Sequence, residues 1–165
     1  MEPKIRLMRP DDREEVVALA VKIWEPVFAS VNATVGPELA VLLHGDDWRQ
    51  HQAADTRRLI ETDSSESRSW VADLEGDVVG FCAAAVLDPA RSIGEVQIVG
   101  VEPELQQTGI GGRLVNAATA WLRDQGMRVA YISTGGDPGH APARRLYEHL
   151  GYTLFPSAQY FKVLG

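Results

Sequence analysis

One stretch constrains this chain more than any other: a strand that hands a glycine turn directly to an amphipathic helix. Residues 93–101, Ile-Gly-Glu-Val-Gln-Ile-Val-Gly-Val, carry the β-branched content of a strand. Gln106-Gln107-Thr108-Gly109-Ile110-Gly111-Gly112-Arg113 follows, and then Leu114, Val115, Ala118, Trp121 and Leu122 recur at helical spacing. A turn of this kind aims successive backbone N–H groups and the positive end of a helix dipole at one point, which suits an anion. A phosphate-containing ligand is one expectation, and three glycines serving only a tight turn and close packing is the other. Two nucleotide patterns fail. The Walker loop needs Gly-Lys-Ser/Thr, whereas Gly111-Gly112 runs into Arg113 and Leu114. The dinucleotide fingerprint needs a third glycine where Leu114 stands and an acidic residue near Ser133 and Thr134.

The elements around this segment read as one mixed α/β domain over residues 1–165. Ile5, Arg6 and Leu7 form a short strand, Asp12 is an N-cap candidate, and Val16, Leu19, Ala20, Ile23 and Val27 predict a helix over residues 12–28. Gly36-Pro37 breaks the chain, and a polar, helical segment then reaches about residue 62. Residues 64–67 form a surface loop. Strands at 69–74 and 78–87 flank Glu75-Gly76-Asp77 as a hairpin. After the glycine turn and its helix, residues 128–133 make another strand, and Ala143, Leu146, Tyr147 and Leu150 mark a short helix ending at Gly151. Residues 152–155 and 160–163 are expected to close the chain as two strands. Strand 93–101 should place Ile93, Glu95, Gln97 and Val99 on one face, with Gly94, Val96, Ile98 and Gly100 on the other.

Composition narrows the functional class. The net charge of −7 disfavours a nucleic-acid surface, which needs clustered Lys and Arg, and leaves a cationic or neutral small partner. No apolar stretch approaches the length of a membrane span, and residues 1–6 lack the apolar core of a secretory signal, so a cytoplasmic protein off the membrane is expected. The single cysteine, Cys82, excludes an intrachain disulfide and a cysteine-based zinc site; no metal is expected, and a buried small hydrophobe is its expected role.

Gln106-x-x-Gly109-x-Gly111 resembles the Gln/Arg-x-x-Gly-x-Gly/Ala signature of the GNAT superfamily of N-acetyltransferases. The strand and turn from Glu95 to Pro103 and the downstream Ala143-x-x-x-Tyr147-x-x-x-Gly151-Tyr152 are similar to the family's flanking pieces, in the same order. The resemblance extends over residues 70–163. It implies a mostly antiparallel central sheet flanked by helices and splayed at a V-shaped cleft for acetyl-CoA. In that cleft the backbone of Val99, Gly100 and Val101 would line the pantetheine arm. The pyrophosphate would meet the turn from Gln106 through Gln107, Thr108, Gly109, Ile110 and Gly111 to Gly112, with Arg113 adding charge or standing solvated. His140 occupies a place where many members have Asn, whose hydrogen bond to the pantetheine a neutral imidazole can also make; an exposed histidine at a helix entry is the alternative.

Acetyl transfer from a thioester to an amine needs a deprotonated amine and a proton for the leaving thiolate. The resemblance makes Tyr147 the proton donor. Glu95, eleven residues before Gln106, matches the catalytic glutamate of some members, and a solvated strand-start carboxylate is the alternative. Attack is expected to be direct, because nothing near Cys82 signals an activated nucleophile. Trp24, Glu25, Phe28, His44, Asp46, Asp47, Trp48 and His51 form either an acceptor pocket with aromatic walls or a solvated acidic helix face. Asp137, after Gly135-Gly136, belongs to the rim. The expectation is an acetyl-CoA-dependent N-acetyltransferase of a small amine; a protein or peptide N-acetyltransferase and a non-catalytic acyl-CoA sensor are the alternatives. Homodimers are common in the family, though nothing in this sequence sets one.

Overall fold

A computed structural model describes residues 1–61 and 64–165. In chain order it contains β1 (Lys4–Leu7), α1 (Arg13–Val35), α2 (Pro37–His44), α3 (Trp48–Ile60), β2 (Ser67–Leu74), β3 (Asp77–Asp88), β4 (Ile93–Val101), α4 (Ile110–Asp124), β5 (Val129–Tyr131) and α5 (Ala141–His149). Residue 62, the expected end of the helical segment after Gly36-Pro37, lies outside the described residues. That segment divides at Gly45 into α2 and α3, and Asp47 caps α3 by accepting from the backbone N–H groups of Arg49 and Gln50. Helix α1 runs past Phe28 to Val35, through Pro26, and stops where Gly36 turns to φ 85°.

The strands form one sheet in the order β1-β2-β3-β4-β5, antiparallel throughout except that β5 runs parallel to β4. Each face has its own core. On one face α4 lays Ile110, Leu114, Ala118, Trp121 and Leu122 over Trp70, Ala72, Cys82, Val96 and Val101. On the other, Val16, Val17, Leu19, Ala20 and Ile23 of α1, with Ile60 of α3, cover Val71, Phe81, Ala83 and Ile98. By length and composition, the helical stretch from Pro10 to Val35 is apolar enough to cross a membrane, which corrects the expectation that no stretch approaches that length. Its stripe from Val16 to Ile23 is instead buried against this sheet.

The alternation expected of strand 93–101 breaks at one residue. Ala83 pairs with Ile98 and Ala84 with Val96, so Gln97 is an extra residue, a bulge in β4. Val96 and Val99 therefore both face α4, while Glu95 shares the α1 face with Ala85, its cross-strand partner. Strand β5 pairs only with Ile93, Gly94 and Glu95, before the bulge. Beyond it β4 keeps β3 on one side and parts from β5 on the other.

Two further elements differ from expectation. Residues 152–155 and 160–163 adopt no strand: Tyr152 is tied to α4 by a 3.1 Å hydroxyl contact with Thr119, and the chain then leaves with Leu154, Phe155 and Tyr160 exposed. Strand propensity reports fit to a half-buried pleated surface, and this segment, mostly exposed, packs on none. Asp12 is not a side-chain cap of α1. Its carboxylate takes the N–H of Arg9 at 2.6 Å and the guanidinium of Arg6 at 2.7 and 2.8 Å, while Arg6 also donates to Asp73 at 2.8 Å.

The Arg6 guanidinium thus joins β1, β2 and the entry to α1, and it holds the Asp12 and Asp73 carboxyls below their usual range. Depressed carboxylates stabilise the fold above their unfolded pKa, about 3.9, and that stability is lost as pH falls through the folded values. Thermal unfolding should therefore show Arg6→Met melting lower than the wild type at pH 7, with the two melting temperatures converging as pH drops below about 4. A constant gap between them across this range would contradict the network.

Candidate functional site

The split between β4 and β5 is the opening of the site. In the paired part of β4, Val99 faces Cys82, Gly100 faces Phe81 and Val101 faces Gly80, so β3 takes backbone groups on one side only. The other side of residues 96–101 fronts the gap, as an unpaired strand edge does. Gly100 is small for a reason: a Cβ there would lie 2.8 Å from the Phe81 ring and 2.9 Å from Ile23 Cδ1. Helix α1 thus closes tightly over β4 at the split.

At the far end of β4 the chain passes a single 3₁₀ turn and reaches the glycine segment. The Gln106 side chain donates back to the Val101 carbonyl at 3.2 Å, so it braces the turn against the strand. Gln107 has φ 63° and Gly109, the N-cap of α4, has φ 91°, a left-handed conformation that glycine adopts without strain. Gln107, Thr108 and Gly109 are exposed. Arg113 N–H donates to the Gly109 carbonyl, the first turn of the helix, so the N–H groups of Ile110, Gly111 and Gly112 precede the helical ladder. Gly111 also admits α5: a Cβ there would lie 3.1 Å from Leu146 Cδ2. Arg113 sits beside the turn in an exposed 2.7 Å ion pair with Glu2.

Helix α5 forms the next wall. Tyr147 is half-buried, its ring centroid is 6.1 Å from that of Tyr152, and burial pushes its hydroxyl well above the ordinary phenol range, with Cys82 on β3 adding to the shift. The hydroxyl is therefore a protonated donor at neutral pH. Cys82 is fully buried, and burial raises its thiol as well. Glu95 lies at the apex of the split, opposite Tyr131 in the last paired position of β5, and burial raises its carboxyl. Tyr147 thus lies on the α4 side of the sheet, near Cys82, and Glu95 on the α1 side.

His140 and Asp137 are joined, which their separate expected roles did not anticipate. Asp137 Oδ1 accepts from His140 Nδ1, Oδ2 accepts from Ser30 Oγ at 2.7 Å, and the Gly139 N–H donates to Ser30 Oγ at 2.8 Å. Arg144 donates to the carbonyls of Gly135 and Asp137 at 2.6 and 2.9 Å and holds the loop from the α5 side. Ser30 and Arg144 escaped sequence reasoning. Ser30 lies two helical turns beyond Ile23 on the α1 stripe that crosses Gly100, and Arg144 one turn beyond His140; those spacings were the available signal.

The acidic and aromatic residues of the N-terminal helices divide. Glu25, Phe28, His44, Asp46 and Trp48 line a cavity of about 310 Å³ between α1, α2 and α3. Phe28 stacks on Trp48 at 4.3 Å and meets His44 edge-on at 4.8 Å, and burial beside His51 pushes the His44 imidazole down. The Trp48 face already carries a cation, Arg49, which is 4.5 Å from the ring centroid and bonded to Glu25 at 2.6 Å. Trp24 packs against the α1-side core instead, His51 pairs with Asp55, and Asp137 belongs to the His140 loop.

Residues 38–152 match the acetyltransferase (GNAT) family. The mycothiol acetyltransferase of Saccharomonospora viridis is 33% identical over 139 residues, covering 74% of this chain and 44% of the relative. That of Tsukamurella paurometabola is 34% identical over 118 residues, covering 72% and 37%. The chain spans less than half the length of these curated relatives. Among solved structures, an aminoglycoside N-acetyltransferase in complex with a bisubstrate analogue superposes with a TM-score of 0.66 at 18% identity, covering 99% of both chains. A ribosomal-protein-alanine N-acetyltransferase from Brucella melitensis gives a TM-score of 0.64 at 15% identity, covering 97% of this chain and 99% of that one. A split five-stranded sheet, a glycine turn at the mouth of the split and a family match over most of its length together identify this chain as a member of the GNAT acetyltransferase family.

Proposed function

We propose that this chain is an acetyl-CoA-dependent N-acetyltransferase that passes the acetyl group directly to a primary amine of a small molecule. The observation that carries this reading is the unpaired edge of β4 at residues 96–101, which runs from the split with β5 towards the glycine turn. The edge of Val99, Gly100 and Val101 takes the pantetheine arm as a strand would, and the amides from Gln107 to Gly112 take the pyrophosphate. His140 stands at the acyl end of this path.

The chemistry follows from the two sides of the opening. Glu95 draws the acceptor's ammonium group to the apex and removes its first proton through water, a task suited to a carboxyl whose pKa burial has raised. The free amine attacks the thioester carbonyl. Tyr147 protonates the thiolate as the C–S bond breaks. Cys82 takes no part, since a fully buried thiol held above its ordinary pKa supplies neither thiolate nor access.

Relatives named for mycothiol support a small acceptor; the fold neighbours, which include both aminoglycoside and ribosomal-protein-alanine acetyltransferases, favour neither class. Phe28, which lines the α1–α2–α3 cavity, is the acceptor-side residue of this reading, while Trp24 packs in the α1-side core and Asp137 is engaged by His140 and Ser30. The test is a thermal-shift titration with acetyl-CoA, CoA and NAD, followed by thiol release across amino sugars, polyamines and peptides. Stabilisation by acetyl-CoA and CoA but not NAD, with release favouring a small amine, is expected. Binding without release on any amine would leave a sensor, and preference for a peptide would overturn the small-molecule acceptor.

A further inference from the structure

An amine that arrives as an ammonium ion loses two protons on its way to an amide, one before attack and one from the nitrogen of the tetrahedral intermediate. Glu95 accounts for the first. We propose that His140, oriented by Asp137 and Ser30, accepts the second; this rests on the acetyltransferase reading above.

Asp137 sets the tautomer of His140. The Asp137 carboxylate accepts from His140, from Ser30 Oγ and, at 3.1 Å, from the Gly139 N–H. A carboxylate with these donors stays ionised: its carboxyl lies below its usual value although burial works the other way. An ionised Asp137 requires a proton on Nδ1, and the neutral imidazole then presents a bare Nε2 as acceptor. Asparagine cannot do this, because its carbonyl accepts a hydrogen bond but holds no proton near neutral pH.

Placement comes from α1 and α5. Ile23, whose side chain abuts Gly100 of β4, and Ser30, which anchors Asp137, lie seven residues apart on one stripe of α1, about 10 Å along its axis. The imidazole is thereby tied to the helix that roofs the split. His140 enters α5 and Tyr147 follows seven residues later, on the same side of the helix. Arg144 lies between them and is engaged with the loop carbonyls of Gly135 and Asp137. Asp137 from its own loop is the charged group bonded to the ring, Arg144 from α5 is bound to the carbonyls of that loop, and α1 presents the neutral Ser30 to Asp137.

The steps balance. The C–N bond forms as the amine attacks, and His140 Nε2 takes the proton from the positively charged nitrogen. The C–S bond breaks and the thiolate takes the Tyr147 proton. The imidazolium returns its proton to the Tyr147 phenolate through water. The products are the amide and CoA thiol, with one proton released to solvent by way of Glu95.

The test compares wild type with His140→Asn and Asp137→Asn. His140→Asn should keep acetyl-CoA affinity within about twofold, lower kcat about a hundredfold and remove a one-proton acid limb from the kcat/KM profile. Asp137→Asn, whose amide can donate to Nδ1 and shift the ring proton to Nε2, should lower kcat similarly. Nitrogen-15 spectra of histidine-labelled wild type should show His140 protonated at Nδ1 only. A purely structural role predicts weaker acetyl-CoA binding or a lower melting temperature with an unchanged pH profile, and that result overturns the proposal. So does an Nε2-protonated ring, or wild-type turnover in His140→Asn. A wild-type chain that binds acetyl-CoA and acetylates no amine fails at the parent reading instead and removes both.

Discussion

Tyr147→Phe is expected to lower turnover about a thousandfold while leaving acetyl-CoA affinity within about twofold. The substitution removes one oxygen from a half-buried ring on α5 and keeps the ring's packing beside Tyr152. A protonated donor is lost in the step where the thiolate departs, and no other hydroxyl on α5 can replace it, since its remaining side chains carry none. Burial holds the Tyr147 phenol protonated well past neutrality, so the wild-type donor is present at every working pH. Steady-state thiol release and calorimetric titration of acetyl-CoA measure the two quantities. A thousandfold fall in kcat with unchanged affinity places the hydroxyl in the transition state. Equal losses in both would make Tyr147 a packing residue, and an unchanged kcat would remove it from the chemistry.

The sequence made the centre of this molecule legible and its two ends less so. The boundaries of β4, residues 93–101, could be read because β-branched residues fill the strand and Pro103 follows closely. The glycine turn and α4 were equally plain, since Leu114, Val115, Ala118, Trp121 and Leu122 leave no other period. The faces of β4 were not legible past Val96. A bulge adds one residue on one strand only, and Gln97 has no local signature that distinguishes it from a paired position. The C-terminal segment misled for the opposite reason. Residues 152–155 and 160–163 carry strand-like side chains, but pairing depends on a partner edge that composition cannot reveal. Within the site, Tyr147, Glu95 and the turn could be singled out because motif spacing marks them. The anchoring of Asp137, the partner of His140, by Ser30 joins residues more than a hundred positions apart, and only tertiary packing reveals it.

Phe81→Ala is expected to cost about 3–5 kcal/mol of stability, a large share of the 5–15 kcal/mol that holds an ordinary domain together. Phe81 is 1% exposed, sits at the middle of β3 and belongs to the core beneath α1. Its ring covers Gly100, its cross-strand partner, where a glycine contributes no side chain of its own. Truncation leaves a cavity bounded by β4 and Ile23 that close-packed neighbours fill only in part. Urea unfolding should show a lower midpoint with little change in slope, the mark of lost stability without a change in the surface exposed. The same cavity lies under the strand edge that would receive the pantetheine arm. Acetyl-CoA affinity should therefore fall in Phe81→Ala, whereas Leu122→Ala, a core truncation under α4 beside Gly94, should lose comparable stability and retain affinity. Equal affinity losses in both variants would mean that global loosening, rather than the support of Gly100, controls the cleft.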